Sequence, residues 1–234
     1  MSTRSNDLPE RQARLKDGRS VRVRHGSAGD EAGIAALIAA AFPVYERAAR
    51  GDPERAARSF ARELRPHEFV VAALADTGQL VGVSCISGRG QAGLSLVARI
   101  RTKLECWSVH GLLCFLLEKI RRRLFESAHR ARPGELYRYL DAVDVHYRSL
   151  GVARHIADFV DDYGRAAGYH TVSAKHRSDN HPVLALHRKR GCALIERPPT
   201  LLARSFRYPH MAISTRVLSA PAGPPGLLGA ADAS

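Results

Sequence analysis

Arg148-Ser149-Leu150-Gly151-Val152-Ala153 is the segment of this chain best equipped for chemistry. A basic turn joining a strand to a helix can aim consecutive backbone N–H groups and a helix N-terminus at one point, which favours an anionic group, most naturally a phosphate. Carboxylates stand just ahead of it at Asp141 and Asp144, with Glu135 earlier still. Strand alternation puts Asp141 on the same face as Val143, where a core residue is expected, so a carboxylate there must be paired, hydrogen-bonded or functional. Two readings stay open for it: a base in a proton transfer, and an ion pair with an arginine such as Arg138. Farther on, Asn180 stands where a helix opens and most simply caps it.

The elements that must position these residues are legible in the periodicities around them. Val143 and Val145 alternate with polar neighbours as a strand does; after Gly151 the apolar residues Val152, Ile156, Phe159, Val160 and Tyr163 fall on one helical face. Gly168-Tyr-His-Thr-Val-Ser-Ala174 supplies a helix stop and a strand, and a second helix follows Asn180. Upstream, Ser20 to Arg24 alternates as a strand, Ser27 to Asp30 offers caps, and Ile34, Leu37, Ile38, Ala41 and Phe42 make a helical face that Pro43 ends. A second helix is expected within Val44 to Arg65. Phe69 to Ala75 and Gln79 to Ile86 are strands joined across Asp76-Thr77-Gly78, a strong hairpin signal. Met211 to Val217 alternates as a last strand. Residues 1–17 lack periodicity and read as a flexible leader; the Pro-, Gly- and Ala-rich residues 219–234 read as a disordered tail.

At 234 residues and 45% apolar content, the chain is long enough for one domain with a substantial core. A net charge of +13 suits a polyanionic partner. The charge is nearly all arginine, with lysine only at Lys16, Lys103, Lys119, Lys175 and Lys189, and no helix-turn-helix, zinc-finger or RNP-like pattern accompanies it, so nucleic acid is disfavoured. The cysteines, Cys85, Cys106, Cys114 and Cys192, have no CxxC spacing, and the first residues hold no signal-peptide apolar core, so reduced thiols in a cytoplasmic chain are expected. The apolar run from Gly111 to Leu117 is far short of the roughly 20 residues that span a bilayer.

Arg148-x-x-Gly151-x-Ala153 resembles the Arg/Gln-x-x-Gly-x-Gly/Ala signature of the GNAT superfamily of acyl-CoA-dependent N-acetyltransferases. Ser178-Asp179-Asn180, followed by Leu186-His187 and Gly191-Cys192, is similar to that family's second half-motif, an Asn opening a short helix that ends in Leu-Tyr-x-x-x-Gly-Phe. The resemblance implies an α/β fold with a mixed, mostly antiparallel central sheet flanked by helices, spanning 18–218. The segment 90–133 exceeds the usual connection before the motif strand, and its apolar residues imply an inserted pair of helices. Its role is open among a cap on the sheet edge, a lid over the acceptor, a homodimer interface and a basic amphipathic membrane contact through Arg121-Arg122-Arg123.

The activity implied is transfer of an acetyl or short acyl group from acyl-CoA, acetyl-CoA being the co-substrate and no metal being needed, to the primary amine of a small molecule by direct attack. Alternatives are a protein or peptide amine as acceptor, or a catalytically silent acyl-CoA-binding or nucleic-acid-binding module. Arg148, Ser149, Leu150, Gly151, Val152 and Ala153 would hold the pyrophosphate, Asn180 would touch the pantetheine arm, and a backbone N–H at Val143 or Val145 would polarise the thioester carbonyl. The family's tyrosine acid falls at His187, an imidazole able to move protons near neutral pH, with an exposed helix histidine as the alternative. Tyr137, Tyr139 and Tyr147 are substitutes for that acid, and Asp141, Asp144 and Glu135 are candidates for the base. Ser149 and Cys192 stand where the family usually has Gly and Phe.

Overall fold

The computed structural model of the chain describes residues 8–42, 45, 49, 51–62, 64–87, 107, 109, 111–113, 116–117, 120, 131–197 and 211–218. Eight strands form one sheet: β1 (Arg11–Arg14), β2 (Ser20–His25), β3 (Phe69–Leu74), β4 (Leu80–Ser87), β5 (Glu135–Val143), β6 (Thr171–Arg177), β7 (Ala193–Arg197) and β8 (Met211–Val217). Their spatial order is β1-β2-β3-β4-β5-β6-β8-β7, and every neighbouring pair is antiparallel except β5 with β6. The helices bounded among the described residues are α1 (Glu31–Ala41), α2 (Pro53–Ala61), α3 (Val152–Ala166) and α4 (His181–Lys189). The mixed, mostly antiparallel sheet is the architecture expected.

Strand alternation divides the core between two faces. Val70, Ala72, Val21, Val23, Val81 and Leu136 meet Ile156, Phe159 and Val160 of α3. Phe69, Val71, Val83, Cys85 and Ala142 meet Ile34, Leu37 and Ile38 of α1 on the other face. At Gly82 a Cβ would lie 2.6 Å from Val152 Cγ1 and 2.9 Å from Ile156 Cδ1, so only glycine lets β4 approach the start of α3 this closely.

Two local expectations are corrected. The supposed leader 1–17 contains β1, and Leu15 is buried in the core; an edge strand of Arg-Gln-Ala-Arg pairs through its backbone and leaves no apolar alternation to read. Ser27 to Asp30 does not cap α1 with a side chain. The Asp30 carboxylate instead accepts from Ser27 N–H at 2.7 Å and from Arg24 at 2.6 and 3.0 Å. The helix expected within 44–65 is present as α2, started by Asp52 accepting from Arg55 N–H at 2.9 Å. Of the inserted helices, residues 109, 111–113, 116–117 and 120 are helical, while 88–106 and 121–130, like the tail 219–234, lie outside the described residues.

The feature that matters for a site is where two central strands part. β5 pairs with β6 only from Glu135 to Arg138, against Thr171 to Ala174, yet it stays paired with β4 as far as Val143. A bulge at Tyr139, which has no partner between the pairs Ile86 with Arg138 and Cys85 with Leu140, coincides with the parting. The second half of β5 therefore has a main-chain edge that β6 does not cover.

Candidate functional site

β5 ends at Val143, and Val145 begins a short 3-10 turn (Val145–Tyr147) with its side chain exposed, so of the two registers the strand end is Val143. Asp144 N–H donates to Val81 C=O at 3.0 Å. In an antiparallel ladder alternate residues face opposite neighbours, so Val143 directs both its N–H and its C=O to the uncovered edge. Its C=O accepts from Arg148 Nε at 3.3 Å, which folds that guanidinium back along the loop.

Past Arg148 the chain turns through two left-handed residues, Ser149 at φ 63° and Gly151 at φ 106°. Ser149 holds a conformation that glycine adopts freely and that costs another residue about 1 kcal/mol, which is where the family's usual glycine would sit. Gly151 is the N-cap of α3 and brings no side-chain cap; Arg154 N–H donates to Gly151 C=O at 3.0 Å, which leaves the N–H groups of Val152 and Ala153 for an external acceptor. The turn is braced from behind by the β1–β2 hairpin. Lys16 N–H donates to Leu150 C=O at 3.1 Å, His155 Nε2 lies 3.3 Å from Arg14 C=O, and the Arg19 guanidinium sits 4.3 Å over the Tyr147 ring. Across a trans peptide the C=O and the following N–H point in opposite directions. Tying Leu150 C=O to the hairpin thus aims Gly151 N–H away from it, toward the open side.

A buried polar group gathers where β5 and β6 separate. His187 on α4 is only 5% exposed, which removes the surface-histidine reading; its Nδ1 is enclosed without a hydrogen-bond partner among the described residues. Its ring lies 4.4 Å from that of His176 at the end of β6. His176 Nε2 is 3.0 Å from Ser214 Oγ, and Ser214 Oγ donates to Ala174 C=O at 3.3 Å, so the histidine supplies the proton of that contact and is the Nε2–H tautomer. Burial pushes the His176 imidazole down to about 4, Asp141 opposing the shift and Arg138 adding to it. Burial also pushes His187 down to about 3, with His176 and Arg138 working in the same direction. Both rings are neutral near pH 7.

The carboxylates take structural partners. Asp141 pairs with Arg138 at 2.7 Å, and Arg138 Nε donates to Ser84 Oγ at 3.2 Å. Burial alone would raise the Asp141 carboxyl, but Arg138 and Ser84 outweigh it and hold it below the usual aspartate range. Asp144 accepts from His146 N–H at 2.9 Å and caps the 3-10 turn. Glu135 accepts from Arg132 N–H at 2.7 Å and from the Ser173 hydroxyl, at the opposite end of β5 from the loop. Asn180 occupies the N-cap of α4 without making a side-chain cap hydrogen bond, contrary to the simple capping expectation. Tyr147 is buried in the core, whereas Tyr139 at the bulge is half exposed and stacks with Tyr137 at 6.4 Å.

The placing of α4 depends on ions that the sequence reading did not single out. Arg190, one turn beyond His187, pairs with Asp158 and, at 2.7 Å, with Asp161 of α3; Arg216 of β8 meets Asp161 at 2.9 Å. The Arg190 and Asp161 side chains are 6% and 5% exposed, so α4 is locked to α3 by a buried ion network. His176 was also missed, although Val172, Ala174 and His176 alternate on the buried side of β6. Beside the loop, a cleft of about 620 Å³ runs between α1 and the end of β5, lined among others by Leu37, Ala40, Leu80, Val143, Asp144 and His146.

Comparison with known proteins agrees with this arrangement. The model of the Acetyltransferase (GNAT) family matches residues 34–192. No curated protein matches the chain. Among solved structures, the GNAT domain of S. lividans PAT superposes with a TM-score of 0.53 at 14% identity, covering 91% of this chain and 100% of that one. A GNAT-family acetyltransferase from Listeria monocytogenes 4b F2365 gives 0.51 at 9% identity, covering 89% and 100%. A further acetyltransferase gives 0.52 at 16% identity, covering 84% and 99%. At such identities the likeness is one of fold, and the family match supplies the rest. The chain belongs to the GNAT acetyltransferase family, whose members use acyl-CoA to acylate amines, and it is an N-acetyltransferase.

Proposed function

We propose that this enzyme transfers an acetyl or short acyl group from acyl-CoA to the primary amine of a small molecule, in the cytoplasm, by direct attack. The observation that carries the proposal is the uncovered edge of β5 ending at Val143, immediately before a turn whose helix is capped by glycine alone. The residues present fit the donor: Ser149 to Ala153 offer backbone N–H groups to a pyrophosphate, Arg148 adds positive charge, and the Asn180 amide makes no cap bond that would compete with a pantetheine contact. When bound, acyl-CoA supplies a thioester carbonyl to be attacked.

Val143 N–H faces the edge where that carbonyl oxygen would sit, and a fixed donor there stabilises the negative charge that develops on it. His187 borders the parting of the strands as a neutral imidazole, so it serves the departing sulfur through a ring N–H rather than as imidazolium. The proton balance closes within the reaction, because the amine's own N–H becomes acidic as the nitrogen is acylated and the thiolate accepts a proton. Asp141, held ionised by Arg138, orients that arginine and is a weak base. Asp144 caps the 3-10 turn through Oδ1 alone, which leaves Oδ2 to receive the amine's proton. The cleft beside Val143 lies in the range of roughly 300–1,000 Å³ usual for small ligands, which supports a small-molecule acceptor over a peptide.

The test is a thermal-shift titration with acetyl-CoA, CoA and a duplex oligonucleotide at two salt concentrations, followed by thiol release across small amines and amine-ended peptides. Stabilisation by both CoA forms and turnover with a small amine are expected. Salt-sensitive stabilisation by the oligonucleotide alone would point to a nucleic-acid-binding module instead. CoA binding without turnover would leave a silent acyl-CoA-binding protein.

A further inference from the structure

His187 has two ring nitrogens, and the enclosed one decides how the other can act. Nδ1 is buried and has no hydrogen-bond partner among the described residues. A polar atom left buried and unpaired is costly, so Nδ1 calls for a partner beyond the side chains around it. The same ring is one wall of a small cavity beside the parting of β5 and β6, about 10 Å³ in volume, which Arg138, Asp161, Arg190, Cys192 and Arg216 also line. That is room for one water molecule and nothing larger, and a buried water needs several polar partners, which this wall supplies.

The charges of the wall set which way such a water turns. Guanidiniums have only N–H groups to offer. Ser173 and Ser214, also in the wall, already give their hydroxyl hydrogens to Glu135 and to Ala174 C=O. Among the described residues of the wall, three guanidiniums face one carboxylate, Asp161, which Arg190 and Arg216 hold at 2.7 and 2.9 Å. Burial, and after it His176, Arg138 and Arg190, keep the His187 ring neutral near pH 7, so it carries one hydrogen on one nitrogen. A neutral imidazole lies best in a positive cavity with its lone pair toward the cations and its N–H away from them. A water whose oxygen accepts from a guanidinium N–H then has its hydrogens for Asp161 and for Nδ1.

We propose that this cavity binds one ordered water that donates to His187 Nδ1 and so holds the ring as its Nε2–H tautomer, with Asp161, Arg190 and Arg216 as positioning residues that act through the water. The inference rests on the reading of His187 as the group that serves the departing sulfur: the water keeps the ring's one hydrogen on Nε2, the nitrogen left to meet that sulfur. Two measurements on the full chain test it. A crystal structure should show one water within about 3.2 Å of Nδ1. In protein carrying nitrogen-15 histidine, the His187 ring, assigned by the signals lost in His187→Phe, should read as Nε2–H near neutral pH. Cys192→Leu fills the cavity from its wall, so the ring should become a mixture of tautomers, and kcat for thiol release should fall about tenfold with KM for acetyl-CoA unchanged. Cys192→Ser keeps the size of the side chain and should keep the parent's spectrum and rate. The proposal is overturned by an Nδ1–H or a charged His187 ring in the parent, by a crystal structure without a water at Nδ1, or by a Cys192→Leu protein that folds and keeps the parent's ring spectrum. The parent measurements decide the matter if Cys192→Leu fails to fold. An Nε2–H ring with its water, in a parent that releases no thiol for any amine, would sustain the site and refute the acyl-transfer reading.

Discussion

Acidification should destabilise this protein through two buried histidines, and the size of the effect follows from where they sit. His176 and His187 face each other between β6 and α4, with Arg138 and Asp141 of β5, Ser214 of β8 and Arg190 just past α4 around them. Their imidazoles are held at about 4 and about 3 in the fold, against an unfolded value of about 6.5. With a lowered folded value the unfolded chain takes up protons first. The stabilisation is complete above about pH 6.5 and is lost as the pH falls toward the folded values. At about pH 5 each histidine costs roughly 1.4 kcal/mol for each of about 1.5 pH units, so about 2 kcal/mol each and about 4 kcal/mol together. Urea unfolding across this range in the parent and in His187→Phe isolates the histidine part, because carboxylates such as Asp141 titrate in both proteins. The variant should lose about 2 kcal/mol less than the parent between about pH 8 and about pH 5. Parallel curves would mean that His187 titrates like an exposed histidine and that its burial is wrong.

Three further outcomes follow from the geometry. Gly151→Asp places a carboxylate at the N-cap of α3 and a side chain at φ 106°, so acetyl-CoA binding measured by calorimetry should fall below detection in a protein that still folds. Gly82→Ala drives a methyl to 2.6 Å from Val152 Cγ1, and should lower stability by about 1–3 kcal/mol in denaturant titration; an unchanged midpoint would mean that α3 stands farther from β4. Arg190→Ala leaves Asp161 buried with Arg216 as its remaining close partner and should cost about 3–5 kcal/mol, whereas a loss below about 1 kcal/mol would show the network to be solvated.

Much of this fold was legible because its signals are local. The hairpin across Asp76-Thr77-Gly78, the one-sided apolar stripe of α3 and the glycine at the loop each announce themselves within a few residues. The loop's shape could be anticipated, but not what braces it. Leu150 C=O bonded to Lys16 N–H joins residues 134 positions apart, and the edge strand beside Lys16 is too polar to show a periodicity. His187 was found through its place in a family pattern, and the sequence left open whether it was exposed; three-dimensional packing against His176 decides that, and with it the charge state. Asp141 was recognised as a carboxylate in need of a partner, and the bulge at Tyr139 brings Arg138 within 2.7 Å of it. The parting of β5 from β6 had no sequence signal of its own, since it is a property of pairing rather than of either strand.

The most direct test of the central claim is release of free thiol from acetyl-CoA by the full chain across a panel of small primary amines, with Gly151→Asp measured alongside. Amine-dependent thiol release that vanishes in Gly151→Asp is the result expected of acyl transfer at this loop. Thiol release that survives that substitution in the folded variant, or acetyl-CoA binding with no thiol released for any amine, would contradict it.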